Sequence, residues 1–269
     1  MVSRLCLDTD QAFRHIVLFL REQTAAAGLP RVVLGMSGGV DSSLCAALAT
    51  EALGPSSVLA LMMPYRTSSP DSVDDARSVA EQLGIEWRLL DISPQIDAYL
   101  KRFPDADQLR RGNKMARERM SVLYDHSKLF RALVVGCSNK TERLLGYATL
   151  WGDMACDLAP IGDLYKTEVL QLARALAVPN QIIGKPPTAD LWPGQTDEEE
   201  LGVTYAQTDL LLYELIEHRR GREELIACGL PDTMVDRVID LKRQSEHKRR
   251  MPPVCVLPLE LRGAEVSEA

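Results

Sequence analysis

One stretch constrains this chain more than any other: Arg31 to Ala49, RVVLGMSGGVDSSLCAALA. The apolar run Arg31–Leu34 reads as a buried strand, and Asp41–Leu53 reads as a helix. Between them lies the loop of residues 35–43, Gly35-Met36-Ser37-Gly38-Gly39-Val40-Asp41-Ser42-Ser43. Gly38 and Gly39 let the backbone approach a ligand closely and take up positive φ. Ser37, Ser42 and Ser43 add hydroxyl donors, and the helix that follows turns its free N–H groups and positive dipole end towards the loop. Such a segment is suited to phosphate. It is not a Walker A loop, which needs a Lys, and it lacks the GxGxxG of dinucleotide folds. Asp41 stands instead, and a carboxylate beside phosphates needs a cation between them. Mg2+, a hard ion held by one or two carboxylates and phosphate oxygens, fits that demand. The plainer alternative is a Ser/Gly turn with Asp41 as an N-terminal cap.

The surrounding pattern supplies the fold class. Val58–Met63, Glu86–Leu90 and Ala132–Val135 read as further strands. Asp71–Leu83 and a long segment around Asp105–Arg131 read as helices. Strands alternating with helices predict an α/β fold with a parallel sheet covered on both faces. In the long helix, Ala116, Met120 and Leu123 recur at helical spacing, with Gly112-Asn113 as a turn-like start and Arg117 beside the stripe. Lys166–Ala177, Asp209–Arg219 and Asp232–Ser245 read as helices too. Loops are expected at Lys185–Gln195 and Pro252-Pro253, and Arg262–Ala269 reads as a polar tail.

Composition narrows the partners. The 269 residues carry a net charge of −7, which argues against a general nucleic-acid binder. No apolar run approaches the about 18 residues of a membrane span, and the N-terminus lacks the apolar centre of a signal peptide. Six scattered cysteines, without CxxC or CxxH, suggest reduced thiols in a cytoplasmic protein and no zinc site. His15, His126 and His218 belong to no motif and read as structural or surface residues.

The loop SGGVDSS resembles the ATP loop of the adenine nucleotide α-hydrolase-like (ATP pyrophosphatase) superfamily, whose members release pyrophosphate while forming an adenylate. Further segments specify more: Gly112–Met120 (GNKMARERM), Ser138–Val169, Lys185–Gly202 and Glu246–Pro252 (EHKRRMP). In order and spacing these resemble the ammonia-dependent NAD synthetase family from about Phe13 to Pro252. That resemblance implies a homodimer with a doubly wound, Rossmann-like fold, residues 1–255 forming one domain and 256–269 a tail. It implies that the nicotinate carboxylate of deamido-NAD+ attacks the α-phosphate of ATP, and that ammonia then displaces AMP to give NAD+.

The resemblance also distributes roles. ATP contacts are expected from Gly35, Met36, Ser37, Gly38, Gly39, Val40, Asp41, Ser42, Cys137, Lys166 and Thr188. Deamido-NAD+ contacts fall to Arg117, Asp157, His247 and Lys248, and Mg2+ ligands are Asp41 and Glu142. The residues give independent reasons for some of these. Val135-Gly136-Cys137 closes a predicted parallel strand, where ligands collect, so Glu142 can face Asp41 across the crevice. The alternative for Glu142 is pairing with Lys140 or Arg143. Lys166 opens a helix, where the dipole disfavours a cation, which hints at an anionic ligand. The run Lys242–Arg250 is either a solvated helix face or, at His247 and Lys248, a ligand clamp. Asp153 is the candidate base for ammonia, and the acidic loop Leu191–Gly202 is expected to order over the site. Two positions depart from the family: Cys137 stands where Thr is usual, and Leu150 where some members carry a Lys.

Rival classes fit less well. A tRNA-modifying enzyme with the same loop would need a cysteine relay or zinc knuckle and a basic face. A non-catalytic ATP sensor has little use for two metal carboxylates. Met1–Leu34 is too short for the amidohydrolase domain of glutamine-using relatives, so free ammonia is expected unless a separate glutaminase subunit supplies it.

Overall fold

Four short strands, β1 (Val32–Gly35), β2 (Val58–Met62), β3 (Glu86–Leu89) and β4 (Leu133–Val135), form one parallel sheet in the order β3-β2-β1-β4. The computed structural model describes residues 5–188, 191–192 and 194–262. Val32 faces Val58 on one side and Leu133 on the other. Every residue of β2 is buried, as expected of apolar strands covered on both faces. β3 and β4 are the edge strands; in β3, Glu86 and Leu89 are exposed.

Side chains alternate across the sheet. On one face Val32, Leu34, Val58, Ala60 and Met62 meet α1 (Thr9–Ala27), α2 (Val40–Leu53), α3 (Pro70–Leu83) and α7 (Lys166–Ala175). On the other, Val33, Leu59, Leu61 and Val134 meet α4 (Ser93–Leu100) and α5 (Gln108–Phe130). A third cluster, around Leu211, Leu212, Leu225, Val235 and Val238, joins α6 (Lys140–Leu145), α10 (Tyr205–Ile216), α11 (Arg222–Ala227) and α12 (Asp232–Gln244). The short helices α8 (Asn180–Ile183) and α9 (Asp197–Leu201) lie between. The sheet is therefore doubly wound. Winding reverses between β1 and β4, which opens a crevice at their carboxyl ends.

Two local expectations need correction. Gly112-Asn113 is no turn: α5 runs straight through it from an Asp107 cap, whose carboxylate accepts from the Arg110 N–H at 2.7 Å. Gly112 is small because Leu191 crosses there; an added Cβ would lie 2.8 Å from the Leu191 Cδ1. The buried face of α5 is Gly112, Met115 and Ala116, while Met120 and Leu123 are only half-buried. The sequence reading assigns no element to α1, which Asp8 caps through the Gln11 N–H at 3.0 Å. Within the expected loop Lys185–Gln195, residues Ala189, Asp190 and Pro193 lie outside the described residues, as do Met1–Arg4 and Gly263–Ala269.

Candidate active site

The phosphate loop leaves β1 at Gly35 and is pinned at once, the Met36 N–H donating to the Leu61 carbonyl at 2.9 Å. Gly38 has φ +76°, and a Cβ there would lie 2.1 Å from the Ser72 carbonyl oxygen, so no larger residue fits. Gly39 is the N-cap of α2. Its carbonyl accepts from the hydroxyls of Ser42 at 3.1 Å and Ser43 at 2.9 Å, and Ser37 N–H donates to the Ser42 hydroxyl at 3.2 Å. The hydroxyls thus fix the loop, and buried Val40 anchors its end in the core.

Asp41 is not the cap of α2; it lies in the first turn. Its carboxylate forms an ion pair with Lys166 and accepts from the Asn139 side-chain amide at 3.0 Å. That same amide nitrogen donates to Glu142 at 2.7 Å, while the Asn139 side-chain oxygen accepts from the Glu142 N–H at 3.0 Å as the cap of α6. Fully buried Asn139 therefore holds the two carboxylates side by side. Lys140 does not pair with Glu142; it pairs with Asp163 and Glu217, each at 2.7 Å. Lys166 Nζ lies 3.7 Å from Glu142. Lys166 thus has a carboxylate partner within the protein, Asp41, with Glu142 beside it.

Electrostatics follow from burial. Glu142 is pushed up to about 8 by burial and then by the Asp41 charge. Burial opposes the charge on Lys166, yet Asp41 and Glu142 hold its ammonium above the ordinary lysine range. Asp209 in α10 fixes the frame. It accepts from the Thr141 hydroxyl at 2.6 Å and the Thr167 N–H at 2.7 Å, so one buried carboxylate ties together the starts of α6 and α7.

These residues fit a divalent ion. Among the described residues no three His, Cys, Asp or Glu side chains have metal-holding geometry. Two adjacent carboxylates with nucleotide phosphates and water nearby make the oxygen-rich, protein-poor shell that Mg2+ prefers.

A second group surrounds the turn Gly146–Asp153. Lys248 Nζ donates to the carbonyls of Gly146 at 2.9 Å and Ala148 at 2.8 Å. Arg117, exposed on α5, donates to the Leu150 carbonyl at 3.3 and 3.2 Å, so Leu150 contributes its backbone. Asp153 accepts from the Thr149 N–H at 2.7 Å. Its side chain reaches solvent, yet the surrounding protein displaces enough water to push its carboxyl up. Burial pulls the Lys248 ammonium down. Asp157 accepts from the Val134 N–H at 2.8 Å and the Tyr124 hydroxyl at 3.2 Å. His247 is exposed, its Nδ1 3.0 Å from the Gln244 carbonyl. Cys137 lies beside buried Cys45, whose thiol this contact and burial push well up. Thr188 is exposed in the chain between α8 and α9.

Residues 12–252 match the sequence profile of the NAD synthase family. The chain belongs to the NAD synthase family. A relative in Trichlorobacter lovleyi, named NH(3)-dependent NAD(+) synthetase, is 52% identical over 253 residues, 94% of this chain and 93% of the relative. The structure of an NMN synthetase from Francisella tularensis superposes with TM-score 0.84 at 30% identity, covering 94% of this chain and all of that one. An NH3-dependent NAD synthetase from Campylobacter jejuni, solved with nitrate, gives TM-score 0.80 at 32% identity over 93% of this chain and 100% of its own.

Sequence reasoning missed Asn139, Asp197, Tyr205 and Asp209. Asn139 had a signal, since Asn139 and Glu142 have the spacing of a capping box. The expected loop Leu191–Gly202 contains α9, with Gln195 and Asp197 buried. Glu200 accepts there from the Tyr147 hydroxyl at 2.7 Å.

Proposed function

We propose that this NAD synthase family member is an ammonia-dependent NAD synthetase that amidates deamido-NAD+ at the expense of ATP. The observation that carries the reading is the meeting of Asp41, Glu142 and Lys166 at the mouth of the phosphate loop. In the first step the nicotinate carboxylate attacks the α-phosphorus and pyrophosphate leaves. In the second, ammonia attacks the adenylate carbonyl and AMP leaves. Loop N–H groups and the start of α2 hold the phosphates, and Lys166 stabilises their charge in a buried setting. Asp41 and Glu142 would hold Mg2+, which when bound neutralises charge on the phosphate oxygens. Arg117, Asp157, His247 and Lys248 bind deamido-NAD+ and orient its carboxylate; alignment of this kind is worth about 7–11 kcal/mol at best. Cys137 and Thr188 contact ATP. Asp153, with its raised carboxyl, accepts the proton that ammonia loses.

We assign the chain to the cytoplasm, which suits its six free thiols. Among the described residues no helix is long and apolar enough to cross a membrane. A homodimer would cover exposed Met251, Val254, Val256 and Leu259, and sedimentation equilibrium tests it.

The deciding experiment supplies ATP, Mg2+ and deamido-NAD+ with ammonium or with glutamine. Equal NAD+, AMP and pyrophosphate from ammonium alone is the expected result, with Asp41→Asn slower by about a hundredfold or more. The likeness to an NMN synthetase motivates a further arm with the mononucleotide acid in place of deamido-NAD+. Turnover of that substrate alone would reassign the product to NMN.

A further inference from the structure

Asp197 opens α9 and is only 4% exposed. One carboxylate oxygen, Oδ2, accepts from the Tyr205 hydroxyl at 3.0 Å. The other, Oδ1, is cut off from solvent and has no hydrogen-bond partner. A buried carboxylate oxygen left this way is unfavourable unless some donor uses it in another state of the site. The Tyr147 hydroxyl lies close to this carboxylate but gives its one proton to Glu200 at 2.7 Å, which leaves the ammonium beside Tyr205 as the donor to consider. Lys166 Nζ lies 5.5 Å from the centroid of the Tyr205 ring, so Tyr205 spans the gap between that ammonium and Asp197. The Asp197 charge already acts on Lys166 and on Glu142.

Three carboxylates thus act on one ammonium, Asp41 and Glu142 at close range and Asp197 through its charge. No three acidic, His or Cys side chains among the described residues have metal-holding geometry, and Asp197 stands outside the Asp41–Glu142 pair that Asn139 holds together. Lys166, however, now occupies Asp41. A cation that takes Asp41 must displace it, and a displaced, buried ammonium needs a new counter-charge. We infer that Asp197 is the counter-ion to which Lys166 transfers when a divalent cation takes Asp41 and Glu142. The flexible four-carbon stem of lysine gives the ammonium the freedom that such a move requires. Asp197 is then a positioning residue acting through Lys166: it keeps the ammonium inside the site, available to phosphate, while the cation loads. The inference rests on the proposed reading only in taking Asp41 and Glu142 as the cation site.

The test is a double-mutant cycle read by Mn2+ binding, followed by electron paramagnetic resonance with no nucleotide present. Asp197→Asn is expected to weaken Mn2+ binding about tenfold in the wild-type background and less than about twofold beside Lys166→Met. A ratio between the two effects below about fivefold overturns the inference, because Asp197 would then act on the cation simply as a nearby charge. Thermal melting checks that each variant is folded. A second measurement needs no variant: acetic anhydride labelling of Lys166 in the wild-type protein, read by peptide mass spectrometry. Saturating Mn2+ is expected to leave the rate within about twofold, whereas a rise of about tenfold means that the ammonium is expelled to solvent and overturns the transfer. Failure of the wild-type protein to make NAD+ would sink the ligase reading without altering either measurement.

Discussion

In the proposed cation site, a single proton on Glu142 decides whether an ion can bind. Burial and the adjacent Asp41 push its carboxyl up to about 8, so below that pH the neutral form prevails. A metal ligand must be deprotonated, so the sign is fixed: cation affinity rises with pH and levels off above about 8. Mn2+ titrations at pH 6, 7 and 8 should show a gain of at most about tenfold per unit, and Glu142→Gln should bind weakly with a flat profile. The same raised value sets the sign for stability. Glu142 supports the folded state most below its ordinary 4.5, and its contribution declines as pH rises through about 8. Melting of the metal-free protein across that window checks it, with Glu142→Gln removing the decline. At this scale legibility was uneven for a physical reason. Gly38, Asp41 and Lys166 announce themselves locally, as a glycine in a tight turn, a carboxylate in a phosphate loop and a cation at a helix start. Asn139 acts on Asp41 across 98 residues of sequence, and Asp197 matters for an oxygen that lacks a partner. Neither relation exists until the chain is folded.

Between elements, Asp209 couples α6 and α7, which carry the proposed site residues Glu142 and Lys166. It sits inside α10, accepts from Thr141 and Thr167, and the Thr141 hydroxyl in turn accepts from the Lys166 N–H at 3.0 Å. Removing the carboxylate strands a buried hydroxyl and a backbone N–H at the starts of α6 and α7. Asp209→Ala should therefore cost about 2–4 kcal/mol of unfolding free energy in a denaturant titration, and Asp209→Asn, which keeps one acceptor, clearly less. Equal stability of Asp209→Ala and wild type would show that water or a rearranged side chain replaces both bonds. The sequence made β1 to β4 and the helices α2, α3, α5, α7 and α12 readable because each has a long or strongly apolar pattern. The six-residue α6 and the five-residue α9 are too short for periodicity to register. The turn assigned to Gly112-Asn113 follows ordinary glycine reasoning; only the tertiary approach of Leu191 explains why glycine stands within a helix. α1 does carry helical spacing at Ile16, Val17 and Leu20, which a motif-led reading passes over.

For the molecule as a whole, the sheet and the α10–α12 cluster meet where the Asp41–Glu142 carboxylate pair lies. β1 and α2 bring the loop and Asp41, while the chain after β4 brings Asn139, Glu142 and Lys166, the last two braced from α10. A ligand bridging these parts stabilises the folded state against global unfolding and not merely against local fraying. At a nucleotide concentration about a hundred times its dissociation constant, the gain is about 2.7 kcal/mol. For a chain near this size that raises the melting temperature by about 5 °C or more. The nucleotide part of that shift should need Mg2+, since ATP alone sets its phosphates against Asp41 and Glu142, while the ion alone gives only its own smaller shift. Asp41→Asn should abolish it, whereas Arg117→Ala, on the far group around Gly146–Asp153, should leave the ATP–Mg2+ shift intact and lower only the further gain from deamido-NAD+. If Arg117→Ala removed both gains, the two groups would form one cooperative pocket, and the division of the crevice into an ATP half and a deamido-NAD+ half would have to be abandoned.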